Sequence, residues 1–494
     1  MRTICTGFRM GNVRSVAGGR ARIGAAMRRS ARVTDSEMRG APLSSLSMTI
    51  RRVPEDFMVE ERLSASFRSA LRASATGVAA ITSGPPLSRL PSASTPPGGE
   101  AGGRRERGSF AVYALTKTSM TTPETIQWFA RALGRNPGVI GYGGLKDKHA
   151  RTTQHITVPV HSTQRGSSAA ESIAMPPEVS GKGWSARLIG YSQAEIAAEA
   201  IECNRFTIVV RDLARETCRE MDRRATLLET CDHERGHGPK PGLLVVNYFG
   251  DQRFGSARHG AGFIARRLIE GDFEGALRLA IGTPARKDSG KTRQFTRMAA
   301  AQWGDWSRLA AELPRIPERR AIEVLASGGS AREAFAALPY FLQSMYVEAY
   351  QSHLWNAAAR TLAETLGAMR GVLRSDDAYG EMVFPIAEGV GVREREIEMP
   401  LPARGTRLQE PWGEAMARAL RDEGVEVSQL RVPGLRRPFF GEAMRRLFVR
   451  AAEFEMSDPE ADELSAGSRR LRRTIAFELP RGAYATVVLR ALGQ

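Results

Sequence analysis

Residues 141–154 read Gly141-Tyr142-Gly143-Gly144-Leu145-Lys146-Asp147-Lys148-His149-Ala150-Arg151-Thr152-Thr153-Gln154. Val139 and Ile140 before them read as a strand entering a glycine-rich turn, and Gln154 to Val160 as the strand that leaves it. An acid bracketed by Lys146 and Lys148, with His149 and Arg151 close by, therefore stands on a turn that glycine keeps open to a ligand. Neighbouring cations favour the ionised carboxylate, which leaves Asp147 available as a nucleophile or a base. The same letters also suit an aspartate that caps a turn beside a solvated basic face. A Walker phosphate loop is excluded, because no Gly-Lys-Ser/Thr follows.

Outward from this turn, strands are expected at Thr49 to Val53 and, after a Pro54-led turn, through Glu61. Further strands are expected around Phe110 to Leu115, Arg205 to Val210, Leu243 to Val246 and Leu471 to Leu479, the last with Ile475 and Phe477 on one face. Helices are expected from Thr122 to Leu133, with Pro123 in the first turn, and from Arg215 to Thr230. After Gly255 the pattern becomes long and amphipathic: helices start at Phe263, Gly275 and Phe295, and one runs from Arg332 to Leu366. A short helix is expected from Tyr484.

Two segments do not fit a core. Residues 1–47 carry nine arginines and only Asp35 and Glu37 as acids. They read as a basic extension, either an organellar targeting segment or sequence ahead of a start at Met48. Residues 64–108 are rich in Ser, Ala, Pro, Gly and Arg and cannot bury enough apolar surface to offset their ordering entropy, so they read as a disordered loop. The 494 residues carry 71 Lys+Arg against 54 Asp+Glu, a net charge of +17, which fits a polyanionic partner. No apolar run approaches the roughly 20 residues that span a bilayer. Four cysteines without C-x-x-C spacing give neither a disulfide framework nor a cysteine-only zinc cluster.

Two more clusters bear on chemistry. Asn247-Tyr248-Phe249-Gly250-Asp251-Gln252-Arg253-Phe254-Gly255 sets aromatics beside arginine, a combination suited to base stacking with phosphate contact, or to a strand turn that packs Phe into the core. His233-Glu234-Arg235-Gly236-His237 matches the H-E-x-x-H zinc pattern in letters. That chemistry needs both histidines on one continuous helix, which Gly236, Gly238, Pro239 and Pro241 break.

Taken in order, Arg51 through Glu61, the Gly141 to Gln154 block, Asn204-Arg205-Phe206, Asn247 through Gly255, and Leu479-Pro480-Arg481-Gly482-Ala483-Tyr484-Ala485-Thr486 resemble the TruD family of tRNA pseudouridine synthases. The resemblance spans residues 50–492. It implies an α+β fold: a pseudouridine-synthase catalytic domain with a mixed, largely antiparallel sheet and flanking helices, discontinuous in sequence, plus a mostly helical insertion domain. The catalytic domain would occupy 48–272 and 460–494, and the insertion 273–459, where its helices could wall an RNA cleft.

The family's Gly-Lys-Asp signature appears here as Leu145-Lys146-Asp147, so the resemblance makes Asp147 the catalytic aspartate. It places Phe57, Asn247, Phe249 and Tyr484 at substrate-binding positions, with Phe249 and Tyr484 as faces for a flipped base, and sets Arg51 where the family commonly has a lysine near the acid. His353 and Trp355 depart from the family's usual residues there. The implied reaction is isomerisation of uridine to pseudouridine in tRNA, typically at the D-arm uridine numbered 13, with no cofactor, no metal, no membrane and no obligatory protein partner. A cytoplasmic location follows, or an organellar one if residues 1–47 are a targeting segment. The rival readings are a catalytically silent RNA-binding protein and a zinc hydrolase built on His233 and His237.

Two outcomes are expected from the sequence. A chain begun at Met48 should melt at the same temperature as the full chain, measured by thermal unfolding; a collapse would show that residues 1–47 carry structure. His233→Ala, His237→Ala and EDTA treatment should leave turnover essentially unchanged, and stoichiometric zinc with activity lost on chelation would put the hydrolase first.

Overall fold

The computed structural model describes residues 48–71, 109–160, 175–232, 240–255, 258–259, 262–284, 288, 290–376, 380–465 and 469–494. His233, Glu234 and His237 lie outside the described residues, as do 1–47 and most of the 64–108 segment. Among the described residues, no helix is long and apolar enough to cross a membrane.

Among the described residues, twelve strands form one large sheet. In chain order they are β1 (Phe57–Leu63), β2 (Phe110–Thr118), β3 (Gly141–Tyr142), β4 (Arg151–Pro159), β5 (Glu178–Gly181), β6 (Trp184–Ser192), β7 (Ile201–Leu213), β8 (Glu229–Asp232), β9 (Lys240–Val246), β10 (Phe448–Met456), β11 (Glu460–Ala461) and β12 (Leu471–Pro480). Across the sheet the order is β5-β6-β2-β4-β1-β7-β12-β10-β9-β8, with β3 added on β4 and β11 on β12. Strand β10 belongs to this sheet although it lies inside the 273–459 segment.

Strands β1 and β4 pair in parallel, Met58 beside Arg151 and Glu60 beside Thr153, whereas the other ladders of this sheet are antiparallel. Parallel neighbours start at the same end of a sheet. The segments that lead into them, residues 50–56 and 143–150, therefore meet there.

Apolar side chains of the expected helices pack against the sheet, and Phe67 of a further short helix joins Val112 and Ile201 in a smaller cluster. Helix Thr122–Ala132 starts at a capping box of Thr121 and Glu124, with proline in its first turn. It buries Ile126, Phe129 and Ala130 against β2 and β6, where the Phe129 ring meets Tyr113 edge-on at 5.2 Å and Trp184 at 6.1 Å. Helices Arg215–Leu228 and Ala485–Ala491 belong to the larger core, together with the helical region after Gly255.

Several local expectations change. Val139 and Ile140 are not a strand: Pro137–Val139 is a 3-10 turn and the strand begins at Gly141. Thr49 to Val53 is not a strand: Thr49 makes an isolated bridge to Arg211, and Pro54–Asp56 is a 3-10 turn. The cause is Asp56, whose Oδ2 accepts from Arg52 N at 2.9 Å and Val53 N at 3.0 Å, taking the donors that a ladder would need. Ser64 begins a short helix, Ala65–Ala70, in place of the expected disordered start. The Arg332 to Leu366 helix is two, Ala331–Ala336 and Tyr340–Gly367, broken at Pro339. Gln343 Nε2 satisfies the carbonyls freed by that break, donating to Ala336 O at 3.1 Å and Leu338 O at 2.7 Å.

A buried ion cluster locks the turn before β1. Arg211 donates from Nε to Asp56 Oδ1 at 2.9 Å and from Nη1 to Asp462 Oδ1 at 2.8 Å. Burial by itself would raise the Asp462 carboxyl, but hydrogen bonds from Ser465, Arg211, Leu464 N and Asp212 N outweigh it and hold it at about 2. Arg211→Met leaves two buried carboxylates without their partner and should destabilise the fold by about 3–5 kcal/mol, read from urea unfolding at pH 7. Because the folded value of Asp462 lies below its ordinary one, its contribution is complete above about pH 4 and is lost as pH falls toward 2. The gap between parent and Arg211→Met should therefore shrink across that window; a gap under ~1 kcal/mol at pH 7 would show that the cluster does not hold the fold.

Candidate active site

Asp147 sits in the loop between β3 and β4. The loop lies tight on the sheet: a Cβ on Gly143 would come within 2.4 Å of Ile201 Cγ1, so a glycine is required there. Lys146 N donates to Thr122 Oγ1 at 3.0 Å, and Thr122 Oγ1 in turn donates to Gln154 Oε1 at 2.8 Å. The Asp147 carboxylate accepts from His149 N at Oδ1, 3.0 Å.

The cation at this carboxylate is not one of its sequence neighbours. Lys146 turns away, its Nζ 2.7 Å from Glu61 Oε1 and donating to Asn204 Oδ1 at 2.9 Å. Burial alone would raise the Glu61 carboxyl, but hydrogen bonding to His155 and the charge of Lys146 prevail and hold it below the usual carboxylate range. Arg51 takes the place expected for Lys146 and Lys148: its Nη2 lies 2.7 Å from Asp147 Oδ2. Arg51 reaches it from a left-handed backbone, φ +67°, a conformation that costs a non-glycine residue about 1–2 kcal/mol. Its guanidinium lies 4.2 Å above the Phe57 ring, which is 3% exposed. Phe57 is thus a platform under Arg51.

Gln252 Nε2 donates to Asp147 Oδ2 at 3.3 Å and ties this loop to the Asn247–Gly255 segment. A cleft of ≈ 230 Å³ opens beside the pair, lined by Ile50, Arg51, Gly250, Gln252, Thr486 and Arg490 among others. Gly250 allows the close approach of the segment after β12: a Cβ there would lie 3.0 Å from Thr486 Oγ1 and 3.1 Å from Tyr484 Cδ1.

The end of β9, the start of β10 and the end of β12 lie at one end of the sheet and bring Asn247, Phe249 and Tyr484 together around Arg445. Arg445 donates to Asn247 Oδ1 at 2.7 Å, Asn247 O at 2.9 Å and Gly482 O at 3.1 Å. Its guanidinium stands 4.1 Å over the Phe249 ring. Burial lowers its pKa to about 10. Phe249 is 7% exposed and meets Trp355 edge-on at 5.7 Å and Tyr484 at 6.2 Å. Asn247 uses its amide inside the protein, accepting from Arg445 and donating to Arg446 O at 3.2 Å. Tyr484 is only partly buried.

Several residues of this arrangement escape sequence reasoning. Asn356 clamps the Phe249 backbone from the long helix, its Oδ1 accepting from Phe249 N and its Nδ2 donating to Phe249 O, both at 2.9 Å. Arg253 donates from Nε to Ser352 Oγ at 3.1 Å and pairs with Glu348 at 2.8 Å, two more residues of that helix. Arg445 and Asn356 lie about 200 and 110 residues from their partners in a chain with arginines throughout, so no local pattern marks them. Gln252 lies in the Asn247–Gly255 run, but its letter alone carries no sign of its reach to Asp147.

Comparison with known proteins bears on this geometry. The family model for tRNA pseudouridine synthase D (TruD) matches residues 36–492. A protein named tRNA pseudouridine synthase D from Aquifex aeolicus is 27% identical over 393 residues, 78% of this chain and 92% of its own. A crystal structure of a Methanosarcina mazei protein described as tRNA pseudouridine synthase D (TruD) covers 90% of this chain and 93% of its own, with a TM-score of 0.59 at 21% identity, and so shares the fold. With a family model matched over nearly the whole folded chain, the protein belongs to the TruD family of tRNA pseudouridine synthases.

Proposed function

We propose that the cleft beside Asp147 is where a uridine of tRNA is isomerised to pseudouridine, with Asp147 as the reacting carboxylate. The observation that carries this reading is the ion pair of Asp147 with Arg51 at 2.7 Å, reached from a strained backbone at the edge of a cleft. A surface aspartate with a merely structural role would not require that strain.

The reaction breaks the bond from N1 of uracil to C1′ of the ribose, turns the base, and rejoins it through C5, whose hydrogen leaves as a proton while N1 takes one up. Asp147 can act at C1′ or C6 as nucleophile, or at C2′ as base. Arg51 pairs with the carboxylate and aims it from one side, and Gln252 donates to the same oxygen from another. The base must first leave the stack, at a cost of a few kcal/mol, which aromatic stacking at about 1–3 kcal/mol per base offsets. Tyr484 offers the more open aromatic face. Phe249 backs it and supports Arg445, which can meet a uracil oxygen or a phosphate. Asn247 acts through its hold on Arg445, and Phe57 through its hold on Arg51. The chain's net charge of +17 suits the phosphates of tRNA. By this reading the target is the D-arm uridine numbered 13 and the compartment the cytoplasm, with an organelle as the alternative if residues 1–47 direct the protein there.

Asp147→Asn keeps size and polarity while removing the charge, so release of tritium from C5-labelled uridine in tRNA should fall by several orders of magnitude, with folding and tRNA binding intact. Appreciable release by that variant would remove Asp147 from the chemistry. No release by the parent on any tRNA would favour a silent RNA-binding protein. Phe249→Ala should cut kcat far more than tRNA affinity, since phosphate contacts supply most of the binding; normal turnover would take the Phe249 cradle out of the site. Asn356→Ala, which strips both partners from the Phe249 backbone, should cost about 1–3 kcal/mol of stability by denaturant unfolding and lower kcat about 10–100-fold.

A further inference from the structure

Lysine is rare in this chain: only seven of the 71 basic residues are lysines, yet two of them, Lys117 and Lys146, serve the Asp147 loop. Lys117 stands on β2 opposite Thr152 of β4 and is 0% exposed. Its Nζ donates to Met120 O at 2.7 Å and to Asp147 O at 2.8 Å. Met120 leads into Thr121, the N-cap of helix Thr122–Ala132, whose Thr122 in turn holds the amide of Lys146. One ammonium therefore joins the sheet, the helix start and the main chain of the proposed reacting residue. Two carbonyls that converge on a single point suit a compact ammonium and not a guanidinium fork, which accounts for a lysine here amid so many arginines.

We propose that Lys117 is a positioning residue for the isomerisation: by holding the Asp147 carbonyl it sets where the Asp147 carboxylate meets Arg51. The proposal rests on the reading of Asp147 as the reacting carboxylate. Both acceptors of Lys117 are neutral carbonyls, so nothing in direct contact offsets its charge. Burial lowers its pKa to about 8, with Asp147 raising it and Lys146 lowering it further. Arg51 stands behind Asp147 and Glu61 behind Lys146. Below pH 8 the ammonium makes charge-assisted bonds, and above it a neutral amine makes weaker ones. Arg445, lowered only to about 10, titrates higher.

The sign separates positioning from plain structural support. A lysine with its folded pKa lowered binds fewer protons folded than unfolded between pH 8 and about 10, so its contribution to stability rises with pH there. Positioning requires turnover to fall over the same range. Saturating kcat for tritium release, KM for tRNA and the denaturation midpoint should be measured from pH 6.5 to 9.5 for the parent, Lys117→Met and Lys117→Arg. The uracil itself titrates at alkaline pH in every variant, so differences between profiles are read. At pH 7, Lys117→Met should have kcat about 10–100-fold lower with KM within about twofold, since a displacement near 1 Å costs on that order. The parent should lose kcat as pH rises through 8 while its midpoint gains on that of Lys117→Met. Lys117→Arg, charged throughout, should lack this extra alkaline loss and retain part of the activity.

Wild-type kcat in Lys117→Met, or an unchanged alkaline loss in either variant, would overturn the proposal. If Lys117→Met does not fold, the parent and Lys117→Arg decide it, with lysine 13Cε NMR reading the ammonium directly. Seven lysine signals are expected, and the one missing from Lys117→Arg should titrate near 8 in the parent; a value above 10 sinks the idea. Full activity of Asp147→Asn would instead remove the reacting carboxylate, while the Lys117 titration of the parent, near 8, would stand as read.

Discussion

One reversal of direction organises the molecule. In a sheet that is otherwise antiparallel, β1 and β4 run side by side, so the turn before one and the loop before the other emerge at the same place. This arrangement seats Arg51 on Asp147 with short lead-in segments. The buried Arg211 cluster fixes the first segment through Asp56, and Lys117 and Thr122 fix the second through its main chain. The ion pair at 2.7 Å is thus held from both sides by groups that never face the cleft.

The rest of the site follows from the far strands. The end of β9, the start of β10 and the end of β12 lie together because β9 and β12 flank β10, and Arg445 gathers the three by donating to Asn247 and Gly482. Its guanidinium is buried against Phe249, which explains both the lowered pKa of the arginine and the limited exposure of the ring. The aromatic cradle is better described as a packed unit of Arg445, Phe249, Trp355 and Tyr484 than as a row of independent stacking faces.

Much of this was legible in the letters. Strands β2, β4, β7, β9 and β12 and the helices at 122 and 215 follow from β-branched runs, caps and proline placement, because those signals are local. Asp147 stood out for its glycines and cationic neighbours, although the cation that matters is 96 positions away and one of the neighbours points elsewhere. The strand expected over Thr49 to Val53 does not form because Asp56 captures the backbone donors that would otherwise extend it, while the Pro54-led turn and the approach of Arg51 to Asp147 are as the letters suggest. The break at Pro339 was visible as a letter, but apolar spacing runs unbroken across it and masks the stop. Lys117, Asn356 and Arg445 were illegible for a common reason: each acts on a partner's main chain, and a carbonyl has no sequence signature.

Helix Tyr340–Gly367 bears on how such proteins can diversify. Asn356 reaches from it to the Phe249 main chain, and Ser352 and Glu348 reach to the Arg253 side chain, so the helical region is wired to the cleft through bonds that both parties must preserve. Recombination that exchanged residues 273–459 between relatives would part a clamp from the loop it grips. Viable chimeras need crossover points that carry residues 247–255 along with the helix, so the two stretches should be inherited as one block even though the chain separates them by about 100 residues.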